Sequence, residues 1–432
     1  MASFHSSPPP PPSLFTLTSA PSRFNLSSSM ITPSIGAMIL AAVPKEEWAD
    51  KQERKYVRQA VKAAQSLPLP SVSLPDTPRG DTRSPFTPSN PTPTSPLKIY
   101  TDYPLLSDLL KTTPPPYITL LPTSETADFL FLVTPLKDFI NLNPNTQINQ
   151  FPYEGGLVQK DLLPLTLRRY CPDLKIPETY DLSTEFHYFV KSFGEGEKWI
   201  IKESTGTHSQ GLKVISSLKS AAEFISSNPS KSYITQKIIL NPLLVSTRKF
   251  DLRVWCFIRS FGEDFEGYMS NYVHARVSNK PYNVDELEDE EVFLTIATYN
   301  ESVENGERLT PGRLRRRLEE ENEDFKWNDM IKSIHNLAST LFNAVAPSIG
   351  NWPRSRAYYG LDVIITVDSL GNFSSNLLEV NFAGDFDSAR ETQRQAVEAS
   401  EGLLDDYDNW LADLFSVLFT SEPITSPRLQ KL

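Results

Sequence analysis

The alternation of apolar and polar positions is most informative between Gly360 and Asn381. Two strand-forming runs, Leu361–Val367 and Phe373–Asn381, flank Asp368-Ser-Leu-Gly-Asn372, whose composition marks a turn, so a hairpin is predicted. If the turn centres between Leu370 and Gly371, Asp362 faces Glu379, and Asn381 shares the face of Glu379. A second pattern lies upstream in Arg248-Lys-Phe-Asp-Leu-Arg-Val-Trp255. Period two places Lys249, Asp251 and Arg253 on one face and Phe250, Leu252 and Val254 on the other. The apolar continuation Trp255–Ile258 marks this as an interior strand. Helical spacing of Trp327, Met330, Ile331, Ile334, Leu337, Leu341 and Val345 predicts a core helix. A closing helix is expected over Asp405–Phe419, with Trp410, Leu411, Leu414, Val417 and Leu418 facing inward.

Between these landmarks the chain reads as alternating short strands and helices. Strands are expected at Leu97–Tyr100, Tyr117–Leu121, Ala127–Val133, Trp199–Lys202, Leu212–Ile215, Tyr233–Ile239 and Glu266–Val277, the last contributing Arg276. Helices are expected at Tyr103–Leu110, Gln159–Tyr170 (carrying Lys160, Arg168 and Arg169) and Lys219–Ser227. This is a mixed α/β class with α+β lobes. The expected boundaries are a small α/β domain over 97–180, a central lobe over 181–240, a C-terminal lobe over 241–423 and a tail over 424–432.

Composition changes the picture at the N-terminus. Seventeen of the 36 prolines fall in the first 96 residues, which therefore read as a disordered Pro/Ser-rich tail containing one helix-forming island, Lys45–Ser66. Net charge is −11, which argues against a nucleic-acid-binding footprint. No apolar run reaches the length of a membrane span. Cys171 and Cys256 show no paired spacing and suit a reducing compartment, so a cytoplasmic location is expected; the chain is also expected to be a monomer. The five histidines form no zinc-type cluster.

The candidate chemistry sits on the two landmark patterns. Carboxylates opposed across a ladder repel each other, and burial among Val, Ile and Leu makes this worse. A hard divalent cation held by Asp362, Glu379 and Asn381 would relieve the repulsion. The row Lys249, Asp251, Arg253 reads either as a satisfied salt-bridge row or as part of a site. Loop Glu203–Gly211, rich in small residues, reads as an ordinary hairpin or as a phosphate-covering loop, and it is not a P-loop. The cluster Arg313, Arg315, Arg316 and Arg317 reads as a solvated helix face or as a contact for an acidic protein tail.

Taken in order, four blocks resemble the tubulin–tyrosine ligase-like family of ATP-grasp ligases. They are Trp199-Ile-Ile-Lys202, Gln236-Lys237…Asn241-Pro-Leu-Leu244, Arg248-Lys-Phe-Asp-Leu-Arg-Val-Trp255 and Leu378-Glu-Val-Asn381. The resemblance implies an ATP-grasp-like fold in which two lobes hold ATP and Mg²⁺. It places Lys202 on the phosphates and Gln236, Lys237 and Ile239 around the adenine. Lys249 and Asp251 would hold the nucleotide, Arg253 and Arg276 would neutralise the transferred phosphate or the acceptor carboxylate, and Asp362, Glu379 and Asn381 would hold Mg²⁺. The implied reaction activates a carboxylate as an acyl phosphate for capture by an amine, with tubulin or another acidic protein tail as partner and a microtubule-associated location. Two blocks depart from the family pattern. Thr295-Ile-Ala-Thr-Tyr-Asn300 replaces a His-Leu-Thr-Asn motif, and Glu203 follows Lys202 where a proline is usual. The alternative is therefore a weakly active or inactive member acting as a binding module that regulates tubulin modification.

Overall fold

The computed structural model describes residues 96–432, apart from 113–117, 137–138, 140, 144, 195, 205–211, 228–229, 263, 296–306, 383–404 and 421–422. The expected tail and its island Lys45–Ser66, most of the Glu203–Gly211 loop, and all but the first residue of Thr295–Asn300 lie outside the described residues. Among the described residues no helix is long and apolar enough to cross a membrane.

The chain opens with β1 (Leu97–Thr101), α1 (Pro104–Thr112), β2 (Ile118–Leu120), β3 (Phe129–Phe131) and β4 (Gln147–Ile148). These strands form a parallel sheet in the order β2-β1-β3-β4. Helices α2 (Gly155–Val158) and α3 (Leu163–Tyr170) lead to β5 (Thr179–Asp181), α4 (Phe186–Ser192), β6 (Trp199–Glu203), β7 (Lys213–Ile215), α5 (Leu218–Ser227) and β8 (Tyr233–Lys237). Their strands make an antiparallel sheet, β5-β8-β6-β7, backed by Phe189, Ala221 and Trp199.

The third sheet is built around one long strand. After β9 (Leu244–Val245) come β10 (Arg248–Ser260), β11 (Glu266–Ser270), β12 (His274–Val277), α6 (Glu290–Phe293), β13 (Arg308–Leu309), α7 (Pro311–Glu321) and α8 (Trp327–Val345). The chain ends with β14 (Ala357–Val367), β15 (Phe373–Phe382), α9 (Asp405–Phe419) and β16 (Leu429–Lys431). β10 pairs with β9, β11, β12 and β14, which is why all but its two end residues are buried. Its period-two pattern is read out as expected. Phe250, Leu252, Val254, Cys256 and Ile258 face a core shared with α8, whose Met330, Ile334, Leu337, Leu341 and Val345 are buried. Trp255 and Phe257 face a second core with α1, β1, β3 and α9. Each large side chain so buried contributes roughly 1.5–3 kcal/mol.

The mixed α/β class holds, with four local differences from expectation. The helix expected from Gln159 begins only at Leu163, so Lys160 sits in the turn before it. Glu266–Val277 is two strands, because Asn271–Val273 turn, with Tyr272 N–H donating to Ser270 Oγ at 3.1 Å. The expected tail 424–432 contains β16, paired antiparallel to β11, and Arg428 anchors it to Asp413 of α9 with bonds of 2.8 and 2.9 Å. Three residues on a sheet edge carry too little periodicity to be seen in a sequence. Finally, the β14–β15 turn centres on Leu370, with Val367 opposite Phe373, half a residue earlier than expected. A bulge then shifts the register between Asp362 and Val363 and restores Asp362 opposite Glu379. Gly371, at φ 81°, and Asp368, whose carboxylate accepts from Leu370 and Asn372 N–H at 2.9 Å each, fix the turn.

One titratable group couples the loop before α2 to the large sheet. The Glu154 carboxylate accepts from Tyr359 Oη at 2.7 Å and Phe151 N–H at 3.1 Å, and burial pushes its carboxyl up to about 8 despite both bonds. Its folded value lies above the ordinary 4.5, so between those values the folded chain keeps a proton that the unfolded chain has lost. Stability therefore falls as pH rises through that window. Glu154→Gln is expected to flatten this dependence, read as urea midpoints of both proteins from about pH 5 to about pH 8. Parallel curves for the two proteins would show that Glu154 does not carry the effect.

Candidate active site

Arg253 lies opposite His274 on β12 and opposite Asp362 on β14, so β10 brings charges from both neighbours onto one face. Asp251 lies opposite Arg276. Arg253 Nε donates to Asp362 Oδ1 at 2.6 Å, and Arg276 Nη2 approaches Asp362 Oδ2 at 2.9 Å. Arg276 Nε donates to Asp251 Oδ1 at 2.5 Å, and the Thr295 hydroxyl donates to the other Asp251 oxygen. All four charged residues are buried. Burial opposes ionisation of Asp362, but Arg253 and Arg276 outweigh it and hold the carboxyl well below its usual range. Burial likewise works against the Arg276 cation, and Asp251 and Asp362 reverse this, holding it charged above its ordinary value.

Gly360 makes this geometry possible. A Cβ there would lie 2.8 Å from Arg253 Cδ and 3.2 Å from its Nη1, so only a glycine lets the guanidinium lie flat across β14 towards Asp362. The guanidinium carbon also sits 5.7 Å from the Trp255 ring centroid.

The lysines are held differently. Lys249 is buried, with Nζ donating to the Phe293 carbonyl at 3.1 Å and lying 4.7 Å from that ring's centroid. Burial pulls its ammonium down to about 8, partly opposed by Asp251. Lys202, half-buried at the end of β6, donates to Gln236 Oε1 at 2.9 Å. Its ammonium is also lowered, first by burial, with Glu379 pulling the other way. Gln236 in turn donates to Thr179 Oγ1 at 3.1 Å and to the carbonyl of the bulged Leu378 at 3.4 Å, bridging the two antiparallel sheets. Lys160, Thr179, Lys202, Gln236, Leu378 and Glu379 line a narrow cleft between them.

Glu379 and Asn381 share a face, as expected. Asn381 Nδ2 lies 3.4 Å from Glu379 Oε1 and from the Gly360 carbonyl, while Lys160 Nζ lies 3.8 Å from Glu379 Oε2. The opposed carboxylates are therefore relieved by side-chain cations: two arginines at Asp362 and a lysine beside Glu379. A carboxylate and an amide oxygen on one half-buried strand face suit a hard cation such as Mg²⁺. Asp362 fits less directly, since each of its oxygens already faces a guanidinium.

Lys202, Gln236, Lys249, Asp251, Arg253, Arg276, Asp362, Glu379 and Asn381 thus come together, with Lys202, Gln236 and Glu379 lining the cleft and Lys249, Asp251, Arg253, Arg276 and Asp362 buried beside it. Lys237 does not join them. Neighbouring strand residues face opposite ways, and Lys237 forms an ion pair with Glu197 and lies 5.8 Å from the Trp199 ring centroid, behind β8. Ile239 is half-buried in the extended segment after β8. Glu203, adjacent to Lys202, likewise turns away to pair with Lys231 at 2.8 Å. Lys160, Thr179 and Thr295 were not assigned to this site from the sequence, although Lys160 and the block opening with Thr295 were noted there. They come from separate elements and carry no local pattern.

The tubulin-tyrosine ligase family model matches residues 140–406, a span that includes every residue of this site. The chain belongs to the tubulin-tyrosine ligase family. It is 28% identical over 356 residues to tubulin–tyrosine ligase-like protein 12 of Homo sapiens, covering 76% of this chain and 51% of that relative. It is 27% identical over 283 residues to a probable alpha-tubulin polyglutamylase of Tetrahymena thermophila, covering 57% of this chain and 67% of that protein. A shorter match, 32% over 127 residues, is to a probable tubulin polyglutamylase of Caenorhabditis elegans, covering 28% of this chain and 30% of the relative. The chain spans about half the length (51%) of the human relative.

Two substitutions test the buried network. Asp362→Ala leaves two arginines facing each other without their carboxylate and is expected to cost about 3–5 kcal/mol. Gly360→Ala forces the Arg253 stem aside and is expected to cost about 1–3 kcal/mol. Urea unfolding measures both. A loss below about 1 kcal/mol for Asp362→Ala would mean that the ion pairs do not hold these strands.

Proposed function

We propose that this site binds ATP with Mg²⁺ and that the chain joins an amine to a carboxylate of an acidic protein tail, with tubulin as the acceptor. The observation carrying this reading is the charge balance of the cleft face. Lys160 and Lys202 line the cleft with one carboxylate, Glu379, and the buried Lys249 lies close enough to Lys202 for the two to repel, whereas Arg253 and Arg276 are matched by Asp251 and Asp362. Among the described residues, the Lys202 and Lys249 ammonium groups donate to neutral acceptors, Gln236 and the Phe293 carbonyl. Keeping ammonium groups out of water beside neutral partners is costly unless an anion joins them. A polyphosphate supplies that anion.

In this reading Lys202 and Lys249 take the phosphates, and Gln236 and the extended segment through Ile239 border the base. Glu379 and Asn381 hold Mg²⁺, with Asp362 behind them keeping Arg253 and Arg276 in place. When bound, ATP and Mg²⁺ supply an activated phosphoryl group whose negative charge must be neutralised, and positioning and electrostatics do most of the work. Arg253 and Arg276 would share their charge between Asp251 and Asp362, to which they are already bonded, and the acceptor carboxylate as it is activated. The γ-phosphoryl group would pass to the carboxylate as ADP departs, and the attacking amine would then lose a proton and displace inorganic phosphate. Activity on tubulin would place the chain in the cytoplasm on microtubules.

A second reading, a nucleotide-binding regulator without ligase activity, is favoured by one observation. Thr295-Ile-Ala-Thr-Tyr-Asn300 stands where the family pattern has His-Leu-Thr-Asn, which removes groups that would help hold the amino acid while the lysines proposed for the phosphates are kept.

ATP with Mg²⁺ is expected to raise the melting temperature of the wild type, corresponding to about 2.7 kcal/mol at a hundredfold excess over Kd. Lys249→Met removes most of the shift, whereas Lys237→Met, on the other side of β8, keeps it. Equal losses for the two variants would contradict the placement of the phosphates, and no wild-type shift would end the nucleotide reading. For ligation, labelled amino acid is expected in tubulin in the presence of ATP and Mg²⁺, and not with Glu379→Gln. Nucleotide binding without incorporation would select the regulator.

A further inference from the structure

The strand that carries the charged row begins at a strained turn. β9 and β10 pair as Val245 with Arg248 and Leu244 with Lys249, leaving a two-residue loop, Ser246-Thr247. Both residues have positive φ, 50° and 62°. Such loops match the twist of the strands but favour Asn and Gly, and a β-branched residue at positive φ is a true outlier. Backbone strain of this kind persists only where the surroundings enforce it.

Here the surroundings are α7 and the segment before it. The Glu321 carboxylate, at the end of α7, accepts from Ser246 N–H at 2.8 and 2.9 Å and from Ser246 Oγ at 3.0 Å. On the other side, Tyr282 N–H donates to the Thr247 carbonyl at 2.9 Å. Arg248 pairs with Glu307, which also takes Arg317 at 2.7 Å and approaches Arg313 at 3.8 Å. Ser278 N–H then donates to the Lys249 carbonyl at 2.9 Å. Arg313 and Arg317 of the basic cluster on α7 are thus turned inward, onto the start of β10, while Arg316 and Arg315, the latter paired to Glu319 along the helix, are exposed.

We propose that α7 is a clamp on this turn, and that Glu321 and Glu307 are positioning residues that set Lys249 in the phosphate-facing row. The constraint is geometric. A two-residue loop fixes the β9–β10 register, and relaxing the turn to negative φ requires a longer loop and a shifted start of β10. Lys249 is two residues beyond the turn and takes the first displacement. Lys202, on β6, does not depend on it. The inference rests on Lys249 facing a bound anion, but the clamp itself is tested without one.

The experiment compares Glu321→Ala, Glu321→Gln and the double variant Glu321→Ala/Thr247→Gly with the wild type. The first readout is acylation of Lys249 and Lys202 by an amine-reactive ester in the nucleotide-free protein, followed by peptide mass spectrometry. Glu321→Ala is expected to raise Lys249 labelling about fivefold or more, equivalent to about 1 kcal/mol, with Lys202 unchanged. Glu321→Gln, which keeps an acceptor oxygen, is expected to retain most of the protection. Thr247→Gly, which makes the turn relaxed as it stands, restores protection in the double variant. The second readout is ATP affinity, expected to fall by a similar factor in Glu321→Ala and to recover in the double variant. Unchanged Lys249 labelling in Glu321→Ala, parallel labelling of Lys202, or failure of Thr247→Gly to restore protection overturns the clamp. If ATP does not bind the wild type, the nucleotide reading falls while the labelling arm still decides the clamp.

Discussion

The buried ion-pair ladder on β10, β12 and β14 is the constraint to which the rest of the large sheet answers. Arg276, Asp251, Arg253 and Asp362 are all removed from water, and such groups are tolerated only when every one finds its opposite. Each finds it across a strand boundary: Asp251 from Arg276, and Asp362 from both arginines. A slip of one residue in any of these pairings would turn the charges into the α8 core, so the ladder specifies register as well as charge. Gly360 belongs to the same device, since it alone leaves the Arg253 side chain room to cross β14.

The same face of β10 changes character beyond Arg253. Trp255 lies 6.0 Å from Tyr358 and 5.0 Å from Trp410, ring centroid to centroid, where α9 covers the sheet. That helix is held at its C-terminal end by two arginines. Arg259 donates to the Ser416, Val417 and Thr420 carbonyls, and Arg356 to those of Val417 and Thr420. Cations at a helix C-terminus meet both its unpaired carbonyls and its dipole. The strand is therefore a polar site at one end and a sealed core at the other, and the guanidinium of Arg253 over Trp255 marks the border.

The antiparallel sheet β5-β8-β6-β7 meets this ladder through few side chains, chiefly Gln236, Lys202 and the Lys160–Glu379 approach. Among the described residues, the charged groups lining that cleft are Lys160, Lys202 and Glu379. A lysine-lined polar cleft beside a neutralised row is the physical basis for the binding site proposed for this member of the tubulin-tyrosine ligase family.

By itself the sequence determined the elements whose pattern is periodic and local. The faces of β10, the inward stripe of α8, the span of α9 and the pairing of Asp362 with Glu379 were all legible, because strand and helix periods write themselves into residue order. Even the last of these was reached through compensating terms, since the turn sits half a residue earlier and the bulge at Leu378 makes up the difference. Tertiary structure alone decided which charges neutralise which. The sequence offered a cation to relieve Asp362, and the fold supplied Arg253 and Arg276 from two neighbouring strands. It also decided that Lys237 faces Glu197 while Gln236 faces the cleft, and that Lys160 reaches Glu379. Alternation along a strand is a local rule, but which of its two faces meets a ligand depends on what packs against each, and that comes from residues distant in the chain.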